Sequence, residues 1–179
     1  MHIAISSRRA ILALTLFTAA LTPSCNRHKP DAETIEEPAQ LASMIHVADP
    51  NASSQLLTGF YSVEQNSWRW TAQQFTAVLK PPSVAAAKGA TLVLKLTVTD
   101  GTIAKLHDIT LSASVNGAPL APETYTKAGP YTYTRDVPAS ALAGDVAKVA
   151  FSLDKAMQPG NGDIRSLGVV VASLGFEAK

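Results

Sequence analysis

Two acids and two arginines sit in two short segments near the ends of the last two thirds of the chain. Glu64 and Arg69 lie in EQNSWRWT, and Asp163 and Arg165 lie in GNGDIRSLG. The first segment also holds Trp68 and Trp70, the two tryptophans of the whole sequence, with Tyr61 just upstream. In an extended strand Trp68 and Trp70 share one face, while Arg69 and Thr71 share the other. A buried Arg69 would need a carboxylate, because an unpaired internal charge is very costly. Glu64 and Asp163 are the candidates, and Asp163 and Arg165, two apart, fall on one side of an extended segment. The expectation is therefore that Glu64 and Asp163 pair with Arg69 and Arg165 and tie an early strand to a late one. Two uses of that cluster stay open. It is a scaffold that fixes strand register, or it is a pocket. In the pocket, Tyr61, Trp68 and Trp70 stack on flat apolar ligand faces while the charged groups hold hydroxyls.

Other chemistries find less support. The four histidines are His2, His28, His46 and His107, and none has metal-ligand spacing to another histidine or to the single cysteine. No G-x-S-x-G is present, and His107 beside Asp108 reads as a loop histidine rather than a general base. PGNGDIR is glycine-rich but lacks the lysine and following Ser/Thr of a phosphate loop. Glu64 and Asp163 make a poor glycosidase pair, since neighbouring arginines lower a carboxyl pKa and disfavour a proton donor. No catalytic residue, metal or cofactor is expected, and the protein is expected not to be an enzyme.

The elements that must position these residues are strands. In TLVLKLTVT, Leu92, Leu94, Leu96 and Val98 point one way and Lys95, Thr97 and Thr99 the other. DITLSASV repeats the alternation, with Ile109, Leu111, Ala113 and Val115 inward and Thr110, Ser112 and Ser114 outward. Asn116-Gly117 then supplies the positive φ values of a tight hairpin. YTYTRDV alternates again, and VAKVAFSLD presents Val149, Phe151 and Leu153 on one face. LGVVVASLGF is almost continuously apolar, which predicts a central strand covered on both sides. AAAKGA predicts at most one helical turn. Such strands without an amphipathic helix between them indicate an all-β fold, a jelly-roll-like β-sandwich of two antiparallel sheets over residues 54–179.

The first 25 residues read as a targeting segment. Arg8 and Arg9 precede the apolar run Ala10 to Leu21. As a helix that run covers roughly 18 Å, short of a ~30 Å hydrocarbon core, which suits a secretory signal better than a membrane span. SRRAIL also resembles a twin-arginine export motif, with Ile11 where an aromatic is usual, so both export routes stay open. Cys25 is the chain's single cysteine and cannot form an internal disulfide. Its place after the apolar run marks it as the lipidation site of a lipoprotein; the alternative is a signal cleaved near Ala20 that leaves a loose thiol. Residues 26–53 are expected to be a flexible linker, rich in proline and acid, with a reach of roughly 25–30 Å, in which Leu41 to Val47 are open to a brief helical turn or an edge strand. The 15 basic residues less Arg8 and Arg9 leave 13 against 14 acidic ones, so no net charge recruits nucleic acid.

The two segments together carry a resemblance. GFYSVEQNSWRWT, followed late in the chain by GDIRSLG, resembles a jelly-roll domain attached to many bacterial glycosyltransferases and related envelope proteins. The shared positions are Gly59, Glu64, Arg69, Trp70, Thr71, Asp163, Arg165, Leu167 and Gly168. That family is similar in shape to carbohydrate-binding modules, although this chain carries no transferase beside the domain. The resemblance implies an exported, lipid-anchored envelope module, on the periplasmic face or the outer membrane, that binds a surface glycan without transforming it. The competing reading is an adaptor that docks on another envelope protein. Under either reading Tyr61, Glu64, Trp68, Arg69, Trp70, Asp163 and Arg165 are the candidate contact residues.

Overall fold

The structure is a computed structural model and describes residues 40–160 and 162–179. The expected signal peptide, Cys25 and the first half of the expected linker lie outside the described residues. In chain order the described strands are Met44–His46 (β1), Leu56–Glu64 (β2), Trp68–Leu79 (β3), Ala90–Val98 (β4), Ile109–Val115 (β5), Ala118–Tyr125 (β6), Gly129–Val137 (β7), Ala147–Leu153 (β8) and Val170–Ala178 (β9). Two short helices intervene, Ala85–Lys88 (α1) and Asp100–Leu106 (α2).

All pairings between these strands are antiparallel. One layer runs β2-β3-β8-β5-β6 and the other runs β1-β9-β4-β7. The alternation read from sequence is what separates core from surface. Leu92, Leu94, Leu96 and Val98 of β4, Ile109, Leu111 and Val115 of β5, and Val149, Phe151 and Leu153 of β8 are all buried between the layers. Phe75 of β3 stacks on Phe151 with centroids 4.8 Å apart, and Phe60 of β2 meets Phe75 edge-on at 5.4 Å. The β5–β6 hairpin turns at Asn116 and Gly117, with φ of 48° and 85°, as the Asn-Gly pair requires.

β3 joins the layers. Gln74 to Leu79 pair with β8, whereas Arg69 and Trp70 pair with Val171 and Val170 of β9 along the same edge. The two sheets are thus hydrogen-bonded to each other at one seam, and Trp68 to Thr71 form that seam. The charged cluster stands there.

Three expectations differ from the structure. Residues 44–53, placed in the linker, belong to the fold: Ile45 and Val47 are buried, and β1 pairs with Ser173 to Gly175 of β9. Gln55, 3% exposed, ties this segment down by accepting from Ala42 N–H and donating to the Ala42 and Val78 carbonyls. α2 was not expected, since seven residues are too few to show a helical period; Thr99 caps it by accepting from Thr102 N–H at 3.2 Å. β9 is central, but Ala172 and Glu177 are exposed, so its outer face is only partly covered.

Candidate functional site

The β2–β3 hairpin turns through Gln65 and Asn66, both at positive φ (50° and 53°), and Ser67 N–H donates to Glu64 O at 3.1 Å. That turn sets Glu64 opposite Trp68, so the two side chains share a face. The β8–β9 connection folds back as a second hairpin, through the bridges Met157–Leu167 and Gly160–Asp163. It delivers Asp163 and Arg165 to the first hairpin.

Arg165 is the centre of the cluster. One guanidinium nitrogen donates to Glu64 Oε1 at 2.8 Å, another donates to Asp163 Oδ2 at 2.8 Å, and Nε donates to Asp163 Oδ1 at 3.0 Å. Arg165 N–H also donates to Asp163 Oδ1 at 2.9 Å. The guanidinium lies 5.2 Å from the Tyr61 ring centroid, and the Tyr61 hydroxyl donates to Ser166 O at 2.9 Å. Glu64, Asp163, Arg165 and Tyr61 are therefore brought together as the sequence suggested, across the seam.

Arg69 is not part of that pairing. Its Nε donates to Val47 O at 2.6 Å and a terminal nitrogen donates to Tyr61 O at 2.9 Å. The ion pair of Arg69 with Glu64 or Asp163 is thus corrected: among the described residues, both acids are engaged by Arg165. The physical reason is local. At the seam the end of β1 abuts the start of β3, two backbone carbonyls accept from the guanidinium, and Arg69 is only half-buried, so its charge stays partly hydrated and needs no carboxylate.

The arginine bonds hold the Asp163 carboxyl well below its ordinary 3.8, down to about 2, chiefly through the Arg165 side chain and then the Arg165 N–H. A depressed carboxyl contributes stability that is complete above its unfolded value and is lost as pH falls through its folded value. The melting temperature of wild type should therefore exceed that of Asp163→Asn at pH 7, and the gap should close between about pH 4 and pH 2. Thermal melts across that range check it; a gap unchanged down to pH 2 would contradict the pairing.

Beneath the charges a neutral lock holds the seam. Thr71, with no exposed surface, exchanges bonds with Val169: its hydroxyl donates to Val169 O and accepts from Val169 N–H, both at 3.2 Å. Gly168 N–H donates to Thr71 O at 2.7 Å. Trp68 and Trp70 are half-buried and meet edge to face, centroids 6.3 Å apart at 84°. Because Thr71, Phe75 and Ala77 face the core, strand alternation puts Trp68, Trp70, Gln74 and Thr76 on the outward face of β3.

That outward face opens into a groove of about 370 Å³ over β3, β8 and β5, lined by Gln74, Thr76, Ser112, Ser114, Ala150 and Ser152 among others. The register sets them in two rows across the strands, Gln74–Ser152–Ser112 and Thr76–Ala150–Ser114. Sequence reasoning marked Ser112 and Ser114 as outward but missed Gln74, Thr76 and Ser152. The signal was there in the alternation of TAQQFTAVLK and AFSLD, which puts the polar, uncharged Gln74, Thr76 and Ser152 opposite the buried Phe75, Ala77 and Phe151. Only strand order makes them neighbours.

Fold and site together define an antiparallel jelly-roll-like sandwich with a clamped seam and an open polar groove on one layer. No protein-family model matches the sequence, and no curated protein does. Among solved structures, the chain is similar to an acetyl xylan esterase from the rumen bacterium Butyrivibrio proteoclasticus, with 11% identity over 78% of this chain and 33% of that one, TM-score 0.45. It is also similar to the CBM36-1 domain of a multidomain xylanase from the hindgut metagenome of Trinervitermes trinervoides, with 9% identity over 76% of this chain and 96% of that domain, TM-score 0.42. A third is CBM51-2 with INT domains from Clostridium perfringens ZmpB in complex with GlcNAc, at 12% identity over 78% of this chain and 28% of that one, TM-score 0.36. The chain thus spans a third of the esterase's length and less of the ZmpB fragment. These likenesses are loose, and the fold stands on the strand pairing itself.

Proposed function

We propose that the protein is an exported, non-catalytic binding module that recognises a glycan on the outward face of β3, β8 and β5. The observation that carries this reading is the groove of neutral amide and hydroxyl groups, which the sheet holds at fixed spacing, with Trp70 and Trp68 further along the same strand face. Short polar side chains leave backbone-deep space and offer both donors and acceptors, as a ligand covered in hydroxyls requires. A binding role rather than hydrolysis is supported by the acids: an Asp163 carboxyl held at about 2 is no proton donor near neutrality, and Glu64 is bonded to Arg165. The charged cluster then serves as the register pin, and the tryptophans are what the seam presents outward.

A glycan array probed with wild type and Trp68→Ala tests the reading. The variant should lose about five- to tenfold in affinity, the scale of one aromatic contact worth ~1 kcal/mol. An array on which nothing binds removes the glycan; unchanged binding by the variant removes Trp68 from the site.

The module is placed at the cell envelope by Cys25, as the lipid-modified residue after the apolar run Ala10 to Leu21. Metabolic labelling with a palmitate analogue should mark wild type and not Cys25→Ala, which should also leave the membrane fraction. Wild type that carries no label would refute the anchor.

A further inference from the structure

We infer that the groove selects an uncharged glycan over an acidic one, an inference that rests on the glycan reading above. Its eight lining residues are Gln74, Thr76, Ser112, Ala113, Ser114, Ala150, Phe151 and Ser152, and none can ionise. A sugar carboxylate or sulfate set into it would lose water and gain no cation in return. The charges on this layer lie beyond its ends. Lys148 pairs with Val78, two positions past the Thr76–Ala150 pair, and at the other end stands the carboxylate of Asp154, which accepts from Thr110 N–H at 2.7 Å. A polymer with an acid on every unit would meet neutral walls in the middle, with the lone cation Lys148 at one end and a like charge, Asp154, at the other. The other layer differs. Its outward depression, about 390 Å³, is lined by Lys95 together with Thr97, Pro130, Tyr131 and Thr132, so a site there would favour an anion.

The two rows span roughly 10 Å across three adjacent strands and roughly 7 Å along them, with Trp68 and Trp70 beyond them on the same face of β3. Ala150 sits at the centre of its row, between Thr76 and Ser114, where the small side chain is what keeps the floor open. The ligand lies over the two rows, its hydroxyls meeting Gln74, Ser152 and Ser112 across the three strands.

Affinity electrophoresis separates the alternatives, with soluble neutral polymers (xylan, mannan, β-glucan, dextran) and acidic ones (alginate, polygalacturonate, hyaluronan) in the gel. Wild type should be retarded by at least one neutral polymer and by no acidic one. Ala150→Arg, which fills the floor, and Ser112→Glu, at an exposed position, should each weaken that retardation tenfold or more with unchanged melting temperature. Retardation by neutral polymers that both variants retain would overturn the inference while leaving glycan binding intact. Retardation only by acidic polymers, abolished by Lys95→Ala, would overturn it in favour of the other layer. Retardation by none of the polymers would overturn the glycan reading and this inference with it.

Discussion

Gly59→Ala should be the most damaging single-methyl change in this domain, lowering stability by at least about 4 kcal/mol, or roughly 10 °C in melting temperature. Gly59 lies where the β2–β3 register breaks, between the Thr58–Thr76 and Phe60–Thr71 pairs, and its φ is 76°. An added Cβ would stand 2.0 Å from Gln74 O and 2.7 Å from Phe75 Cα. Both are backbone atoms of the strand that joins the layers, so no side chain can swing aside. Gly117→Ala supplies the comparison. It has a similar φ of 85° with nothing within 4 Å of the new Cβ, so it isolates the conformational cost, about 1 kcal/mol. Thermal or denaturant melts of the two variants measure the difference. Equal losses would mean that β2 does not lie against β3 in this register.

The same comparison shows what was legible in the sequence. Gly59, Glu64, Arg69, Trp70, Thr71, Asp163, Arg165, Leu167 and Gly168 were picked out as one pattern. Arg69, Trp70, Thr71 and Gly168 stand at the seam. Glu64, Asp163 and Arg165 form the charged cluster, Leu167 bridges Met157, and Gly59 lies further along, against Gln74 and Phe75. What the pattern could not show was which arginine takes the acids. A half-buried guanidinium donates to backbone carbonyls as well as to carboxylates, and the carbonyls of Val47 and Tyr61 become its neighbours only after folding. β4, β5 and β8 were readable because a strand with one buried face writes its period into five or more residues. β1 was readable only as one option for Leu41 to Val47: Ile45 and Val47 are two apolar positions in an acidic, proline-containing stretch, and their burial depends on an edge of β9 more than 120 residues away. The groove was half readable. Alternation marks a side chain as outward, whereas the row Gln74–Ser152–Ser112 is a property of strand order, which depends on contacts distant in sequence.

These assignments separate two layers of constraint at one place. The charged cluster with the Thr71–Val169 exchange fixes how the two sheets meet, and the outward residues of β3 inherit their positions from that meeting. A change at the seam should therefore act on binding indirectly, through stability and the placement of Trp68 and Trp70, whereas a change such as Ala150→Arg should act on binding with the fold intact.

Gly168→Ala tests that dependence and should lower stability by about 3 kcal/mol or more. The new Cβ would lie 2.5 Å from Leu153 Cδ1, which can shift, but also 2.7 Å from Ala72 O and 2.7 Å from Thr71 Oγ1. The last contact strikes the hydroxyl that bonds both backbone groups of Val169, and Gly168 itself donates to Thr71 O. Relief of the overlap requires β3 and the start of β9 to part, which loosens the pairs Arg69–Val171 and Trp70–Val170 next to it. The cost should thus appear twice, as a lower melting temperature and as faster amide exchange at Thr71 and Val171, while the β4–β7 ladder far from the seam exchanges as before. Gly101→Ala, whose Cβ would make an ordinary 3.8 Å contact inside α2, should be neutral or slightly stabilising, since alanine outranks glycine in a helix. A Gly168→Ala protein as stable as Gly101→Ala, with the exchange at Thr71 unchanged, would show that the seam is not where the two layers are locked.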